Sequence, residues 1–287
     1  MNPSLLQLVM ADALTPFSFR RQSSSLGLMG ILNITPDSSH GPSRQRNVDE
    51  AIQNGISMIS AGAKILDVGG ESTRPGSQPV SIEQELERVL PVISGLRAVS
   101  PSIEISIDTR NHEVARQALD SGATIINDVS GLRDQKMFDL VLDRNVPVCI
   151  MHMLGEPKTM QSKPSYQNVV NDVSSELLNT AHLLVDAGHD PQNICLDPGI
   201  GFGKTLEHNI DLLKSSQYFR GDYDFSILWG VSRKSMIGQL TGHPSTEDRL
   251  FGTLGVAAYA QQVGIDWLRV HDVQAHSDLL RVLQQLD

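Results

Sequence analysis

The chain has 287 residues, 33 of them acidic and 23 basic, for a formal charge of −10, and only two are cysteines. At 40% hydrophobic and 20% charged it has the make-up of a folded domain, because bulk disorder needs low hydrophobicity together with a charge excess. The acidic balance excludes the broad basic face that nucleic-acid phosphates require, so any anionic ligand is small and held locally.

The first 25 residues read as a short N-terminal extension. Arg20 and Arg21 precede the apolar run 26–32, but that run is too short for an export signal and is followed at once by Asn33, Pro36 and Asp37. No stretch approaches the roughly 18 apolar residues of a membrane span, so the expectation is a soluble chain with no membrane partner. Cys149 and Cys195 each lie inside an apolar run and read as buried free thiols, which points to the cytoplasm.

From residue 26 onward, short β-branched runs alternate with long amphipathic ones, the pattern of a parallel sheet with crossover helices. Strands are expected over 26–32, 64–68, 103–107, 124–128, 146–151, 193–196, 225–230 and 267–270. Helices are expected over 48–60, 82–99, 112–121, 135–144, 166–187, 206–215, 245–263 and 273–286. Ala61-Gly62-Ala63-Lys64-Ile65-Leu66-Asp67-Val68 repeats weakly as Ser121-Gly122-Ala123-Thr124-Ile125-Ile126-Asn127-Asp128-Val129, and Gly188 and Gly264 occupy the matching helix-to-strand joint. Eight such units without a linker predict a single α/β domain, a (β/α)8 barrel over 26–287.

A barrel carries its site at the C-terminal strand ends, and here those ends are polar: Asn33, Glu71, Asp108, Asn127-Asp128, His152, Asp197, Ser232-Arg233-Lys234 and Arg269-Val270-His271-Asp272. A single polar group there is as well explained by satisfying loop amides, but Asp108, Asn127 and Asp197 together call for a shared partner. These acceptors fall on strands three, four and six, whereas Lys234, Arg269 and His271 follow strands seven and eight, where barrels often bind phosphate. The expectation is an acceptor half and a cationic half. A carboxylate can take two parallel hydrogen bonds from a planar N–C–NH₂ edge, so the ligand is predicted to be a guanine-like or pterin-like ring with a phosphorylated arm.

The loop Asp197-Pro198-Gly199-Ile200-Gly201-Phe202-Gly203-Lys204-Thr205 fits neither nucleotide motif, because Pro198 and Lys204 stand where glycines are required. Its glycines let backbone approach a flat ligand, with Phe202 placed to cover a ring face or to pack the loop. Met151-His152-Met153 reads as the end of a buried strand, and His182 and His208 as helix-surface residues. No zinc site is expected, while Mg²⁺ bridging a diphosphate is compatible with so few protein ligands. No nucleophile elbow appears, so covalent catalysis is not indicated. The glycine- and proline-bracketed run Gly70-Glu71-Ser72-Thr73-Arg74-Pro75-Gly76 has the composition of a lid, with Arg74 able to reach a charged group.

Several segments, in order, are identified with one known family. They are Met29-Gly30-Ile31-Leu32-Asn33-Ile34-Thr35-Pro36-Asp37-Ser38, Asp67-Val68-Gly69-Gly70-Glu71-Ser72-Thr73-Arg74-Pro75-Gly76, Ile107-Asp108-Thr109, Ile126-Asn127-Asp128, Met151-His152-Met153, Leu196-Asp197-Pro198-Gly199 through Lys204, Ser232-Arg233-Lys234-Ser235 and Arg269-Val270-His271-Asp272. Over residues 28–286 the chain resembles the bacterial dihydropteroate synthases. The resemblance implies a TIM barrel, a homodimer, and condensation of 6-hydroxymethyl-7,8-dihydropterin diphosphate with 4-aminobenzoate, with Mg²⁺ as cofactor and sulfonamides as inhibitors. It implies Asp108, Asn127, Asp197 and Lys234 as the pterin set, Met151 and Phe202 as ring contacts, and Arg269 and His271 with Asn33 at the diphosphate and metal. Thr73, Arg74, Pro75 and Ser235 are implied on the aminobenzoate side, and Asp197, Lys234, Arg269 and Arg74 as the catalytic groups. The chain departs from the family in the first loop, with Ser39-His40-Gly41-Pro42-Ser43 where relatives carry Phe-Ser-Asp-Gly-Gly. A corrinoid-linked methyltetrahydrofolate methyltransferase shares such a pterin site but has no use for a diphosphate pocket. A non-catalytic pterin-binding protein is the other alternative, motivated by the altered loop.

Overall fold

The computed structural model describes residues 17–20, 26–34, 41–71 and 80–286. Eight parallel strands close in sequence order, β1 (Gly27–Asn33), β2 (Ile65–Gly69), β3 (Glu104–Asp108), β4 (Ile125–Asp128), β5 (Val148–Met151), β6 (Ile194–Asp197), β7 (Ser226–Trp229) and β8 (Trp267–Val270). β8 returns to pair with β1, with Met29 opposite Arg269. This is the predicted barrel, and all eight expected strands are present within one or two residues.

Around it run α1 (Gly41–Ala61), α2 (Ile82–Val99), α3 (His112–Asp120), α4 (Gln135–Arg144), α5 (Val169–Asp186), α6 (Leu206–Lys214), α7 (Ser235–Thr241), α8 (Leu250–Gln262) and α9 (Val273–Leu286). Their starts follow from local chemistry. Ser81 and Gln84 form a reciprocal capping box for α2, and Asn168 accepts from the Asn171 amide at 3.0 Å to start α5 three residues later than periodicity alone suggests. Gly62, Gly122, Gly188 and Gly264 take φ of 112°, 112°, 99° and 74° at the expected joints, which a side chain would strain. The helix expected over 245–263 begins at Leu250, and the short α7 before it escaped prediction. Its seven residues are too few to show a period, and Gly238 sits in its middle.

Period-two alternation splits each strand between two environments. Outward residues such as Leu66, Val68, Ile105, Ile107, Leu196 and Leu268 are buried against the helices in the main core. Inward residues near the barrel's base, Met29, Ile65, Ile125, Cys149, Cys195, Leu228 and Trp267, form a second apolar cluster closed from below by Phe19. Trp267 Nε1 donates to the Phe19 carbonyl at 2.9 Å, and Phe19 is fully buried, worth about 2–3 kcal/mol by area. Both cysteines are free and buried, and they are register partners on β5 and β6. Among the described residues no helix is long and apolar enough to cross a membrane.

Candidate active site

Two residues further along the same inward rows, roughly 7 Å up the barrel, the apolar base gives way to polar groups. Ile65 is followed by Asp67, Ile125 by Asn127, Cys149 by Met151, Cys195 by Asp197, Leu228 by Gly230 and Trp267 by Arg269. The strand period therefore delivers Asp67, Asn127, Asp197 and Arg269 to one mouth. Asp108, the last residue of β3, joins them, its neighbours in register being Gly69 and Asn127.

Arg269 dominates the mouth. Its Nε donates to Asp67 Oδ2 at 2.5 Å and its Nη2 to Asp108 Oδ2 at 2.6 Å, while Asn127 Nδ2 donates to the same Asp67 oxygen at 3.1 Å. Burial works against the charged guanidinium, but Asp67 and Asp108 together outweigh it and hold Arg269 above its ordinary value. Burial pushes Asp108 up to about 7, opposed by Arg269 and reinforced by the neighbouring Asp67 charge. The expected separation into an acceptor half and a cationic half is corrected here. Closure of the barrel returns β8 to β1, and the long Arg269 side chain crosses the mouth to the carboxylates of β2 and β3.

Asp197 lies on the far wall. Burial raises its carboxyl, opposed by Lys234 and by the Gly199 amide, which donates to Oδ1 at 2.8 Å. A Cβ on Gly230 would lie 3.5 Å from Asp197 Oδ2 and 3.8 Å from Lys234 Nζ, so glycine there keeps open the space both groups face. Lys234 donates to the Ile200 carbonyl, and its Nζ lies 4.3 Å over the Phe202 ring. Burial lowers it to about 8 although Asp197 opposes the shift. Met151 and Phe202 belong to a small apolar cluster with Val129, Met153 and Met160, the flat wall beside these charges.

The ends of β7 and β8 are fastened by two adjacent pairs. Ser232 Oγ lies 2.9 Å from His271 Nδ1 and accepts from the His271 amide at 3.1 Å. Arg233, at φ 54°, makes a bidentate pair with Asp272 at 2.7 Å on both nitrogens, so it braces the loop and is not a ligand cation. Asp128 is also structural, accepting from Ser130 N, Ser130 Oγ and Leu132 N within its own loop. Asn33 is exposed at the end of β1, and Ser235 is exposed at the first turn of α7. Thr73, Arg74, Pro75, Ser39 and His40 lie outside the described residues, and of Gly41 only its place at the start of α1 is described.

Two residues of the site, Asp67 and Lys204, were given no role from the sequence, and a third, His152, was read only as a polar strand end. Asp67 is fully buried and orients Arg269 and Asn127; its signal was its place two residues beyond Ile65. Lys204 and His152 are buried against each other, with Lys204 Nζ 2.9 Å from His152 Nδ1. His182 and His208 are not plain surface residues. His182 packs against Tyr223 and Phe225, and His208 caps the first turn of α6 against Thr205 and meets Tyr166 edge-on at 5.1 Å.

Comparison with known proteins agrees with this geometry. The family model for pterin binding enzymes matches residues 29–271. The dihydropteroate synthase of Escherichia coli K12 is 42% identical over 268 residues, covering 92% of this chain and 94% of its own. A structure of the Xanthomonas albilineans dihydropteroate synthase with 4-aminobenzoic acid superposes with a TM-score of 0.83 at 40% identity, covering 91% of this chain and 93% of that one. A Yersinia pestis dihydropteroate synthase in a sulfonamide complex gives 0.84 at 38% identity, covering 92% and 94%. A polar barrel mouth lined by an apolar wall, and a match that spans the barrel from β1 to the end of β8, place this chain in the pterin binding enzyme family.

Proposed function

We propose that the chain is a dihydropteroate synthase, a transferase of folate biosynthesis. It joins 6-hydroxymethyl-7,8-dihydropterin diphosphate to 4-aminobenzoate and releases diphosphate and 7,8-dihydropteroate. The observation that carries this reading is the mouth itself, where buried Asp108, Asn127 and Asp197 face Lys234 and Arg269 beside the wall of Met151 and Phe202. A pterin offers a donor edge, acceptor atoms and two apolar faces, and each has a counterpart here. Asp197 accepts from the N–C–NH₂ edge, Lys234 donates to ring acceptors, and Asp108 and Asn127 take the remaining polar atoms.

In the reaction the arylamine nitrogen attacks the methylene carbon, the C–O bond to diphosphate breaks with its electron pair going to the leaving oxygen, and the amine gives up a proton. An aromatic amine is neutral at pH 7, so no strong base is needed. The leaving charge develops beside Arg269 and His271, preplaced donors of the kind that lower such barriers. Thr73, Arg74 and Pro75, with Ser235 at α7, form the aminobenzoate side, which a sulfonamide would also occupy.

Mg²⁺ fits the residues present only in company with the diphosphate. Among the described residues no group of three His, Cys, Asp or Glu could hold a metal ion, whereas Mg²⁺ typically takes few protein oxygens and several from phosphate. A Cβ on Gly69 would sit 3.7 Å from Asn33 Oδ1 and 3.5 Å from Asp108 Oδ2, so glycine preserves a cradle beside the Asn33 oxygen. Asn33 would hold the ion, and the bound ion would neutralise charge on the departing diphosphate.

A homodimer is supported by α8, which is apolar on all sides, with Phe251 84% exposed and Val282 and Leu286 exposed on the adjacent α9. The free buried thiols support a cytoplasmic site, and the division into an extension (1–25) and a barrel (26–287) completes the reading. The deciding experiment measures diphosphate release from the dihydropterin diphosphate with Mg²⁺, with and without 4-aminobenzoate, for the native chain, Asp197→Asn and Arg269→Ala. Aminobenzoate-dependent release that both variants lose is the expected result. Tight pterin binding without release in the native chain would overturn the enzymatic reading.

A further inference from the structure

Lys204 is almost fully buried, at 4% exposure, in the loop between β6 and α6, a position that neither binds the diphosphate nor faces the reacting carbon in the reading above. Its ammonium carries three hydrogens, and three acceptors surround it. His152 Nδ1 lies at 2.9 Å, the Phe202 carbonyl at 3.0 Å and the His152 carbonyl at 3.5 Å. With Nδ1 accepting, the imidazole hydrogen sits on Nε2, which faces Glu176 Oε2 on α5 at 3.5 Å. Glu176 in turn lies 3.6 Å from Arg133 Nη2, and Arg133 donates to the Met153 and Gly155 carbonyls. A continuous polar chain thus runs from half-exposed Glu176 through His152 and Lys204 to the backbone of Phe202.

The surrounding loop is shaped for this contact. A Cβ on Gly199 would lie 1.8 Å from the His152 carbonyl and one on Gly203 2.6 Å from Leu154 Cβ, so only glycines let the two loops press together. Tyr166 donates to the Gly203 carbonyl at 2.9 Å and Gln161 to the Gly201 carbonyl at 2.5 Å from the other side. Lys204 is the charged member of this clamp. It fastens Phe202, one ring contact, to His152, whose preceding residue Met151 is the other.

We propose that Lys204 is a positioning residue for pterin recognition, holding Phe202 and Met151 at the spacing of a flat ring through His152. The inference rests on the pterin reading above but not on turnover. An uncharged Lys204 keeps only two hydrogens for three acceptors and loosens the clamp.

The groups acting on Lys204 come from every side. Burial pushes it down to about 7, Asp197 on β6 and Glu176 on α5 favour its charge, and Lys234 after β7 opposes it. His152, on the β5 side, is itself held low by burial. Removing the Glu176 charge therefore lowers the pH at which Lys204 loses its proton, and Glu176 is not among the groups that act on Lys234.

The test titrates 6-hydroxymethylpterin, which has no leaving group, into the native chain, Lys204→Met and Glu176→Gln between pH 6 and 9. Lys204→Met is expected to weaken pterin binding about tenfold while the KM for 4-aminobenzoate stays within about twofold. Glu176→Gln, at the half-exposed end of the chain, is expected to keep native affinity at pH 6 and to move the alkaline loss of binding to lower pH. Pterin affinity within twofold of native in Lys204→Met overturns the inference, as does an unshifted alkaline limb in Glu176→Gln. Should Lys204→Met fail to fold, the Glu176→Gln limb decides alone. A native chain that binds the pterin but releases no diphosphate would overturn the synthase reading and leave this one standing.

Discussion

Arg269 holds Asp108 at 2.6 Å across the barrel mouth, so the cation assigned to the diphosphate and an acceptor assigned to the pterin are partners before substrate arrives. A ligand that brings both a diphosphate and a donor-rich ring gives each a new partner at once, which favours the whole substrate over either fragment. Replacing Arg269 with Ala is expected to lower kcat/KM for diphosphate release by about 10²- to 10³-fold, the usual cost of one preplaced charge donor. Arg269→Lys should recover only a part, because a lysine cannot span Asp67 and Asp108 with a planar fork. Steady-state release assays check both, and an alanine variant within tenfold of native would remove Arg269 from the reaction.

Asp197→Asn exchanges a two-acceptor carboxylate for a group that can accept once and must donate once. Pterin affinity should fall about ten- to a hundredfold, the worth of hydrogen bonds to a charged acceptor. The KM for 4-aminobenzoate should hold steady. Calorimetry on the two ligands separately distinguishes this from general damage, which would weaken both.

Asp108 offers a pH test with a definite sign. Its folded pKa of about 7 lies above the usual carboxylate value, so between pH 4 and 7 the folded chain binds the proton that the unfolded chain has released. Its contribution to stability is therefore full at low pH and is lost as pH rises through 7. Asp108→Asn removes that loss. The variant is expected to unfold at a temperature equal to or above native at pH 8, while its pterin affinity falls. Thermal melts at pH 5 and 8 decide it, and a variant less stable at pH 8 alone would contradict the assignment.

Phe251, 84% exposed on α8, should be covered by a second copy of the chain. Phe251→Glu places two like charges at such a symmetric contact and is expected to shift the mass by light scattering from dimer to monomer. A native chain that runs as a monomer at micromolar concentration would end the proposal.

The barrel was legible because its evidence is local and repeated. Eight β-branched runs, the Gly62 and Gly122 joints and the polar residue that ends nearly every strand survive without any knowledge of what packs where. The positions of Asp108, Asn127, Asp197 and Lys234 followed, since a barrel puts strand ends in one place. Local signals failed at α7, whose seven residues show no period, and at His182, whose half-buried ring depends on Tyr223 and Phe225 from a different segment.

What the amino-acid order determined alone is the alternation of strands and helices, the polar rim of the strand ends and the chemistry of the ligand they can hold. Tertiary structure decided the pairings within that rim. Arg269 reaches Asp67 and Asp108 only because the barrel closes β8 onto β1, and Lys204 meets His152 only because glycines at 199 and 203 let two loops touch. Residues 202 positions apart in sequence, such as Arg269 and Asp67, leave no local trace of their contact. Burial then sets how strongly such a pair perturbs its charges, and burial belongs to the fold.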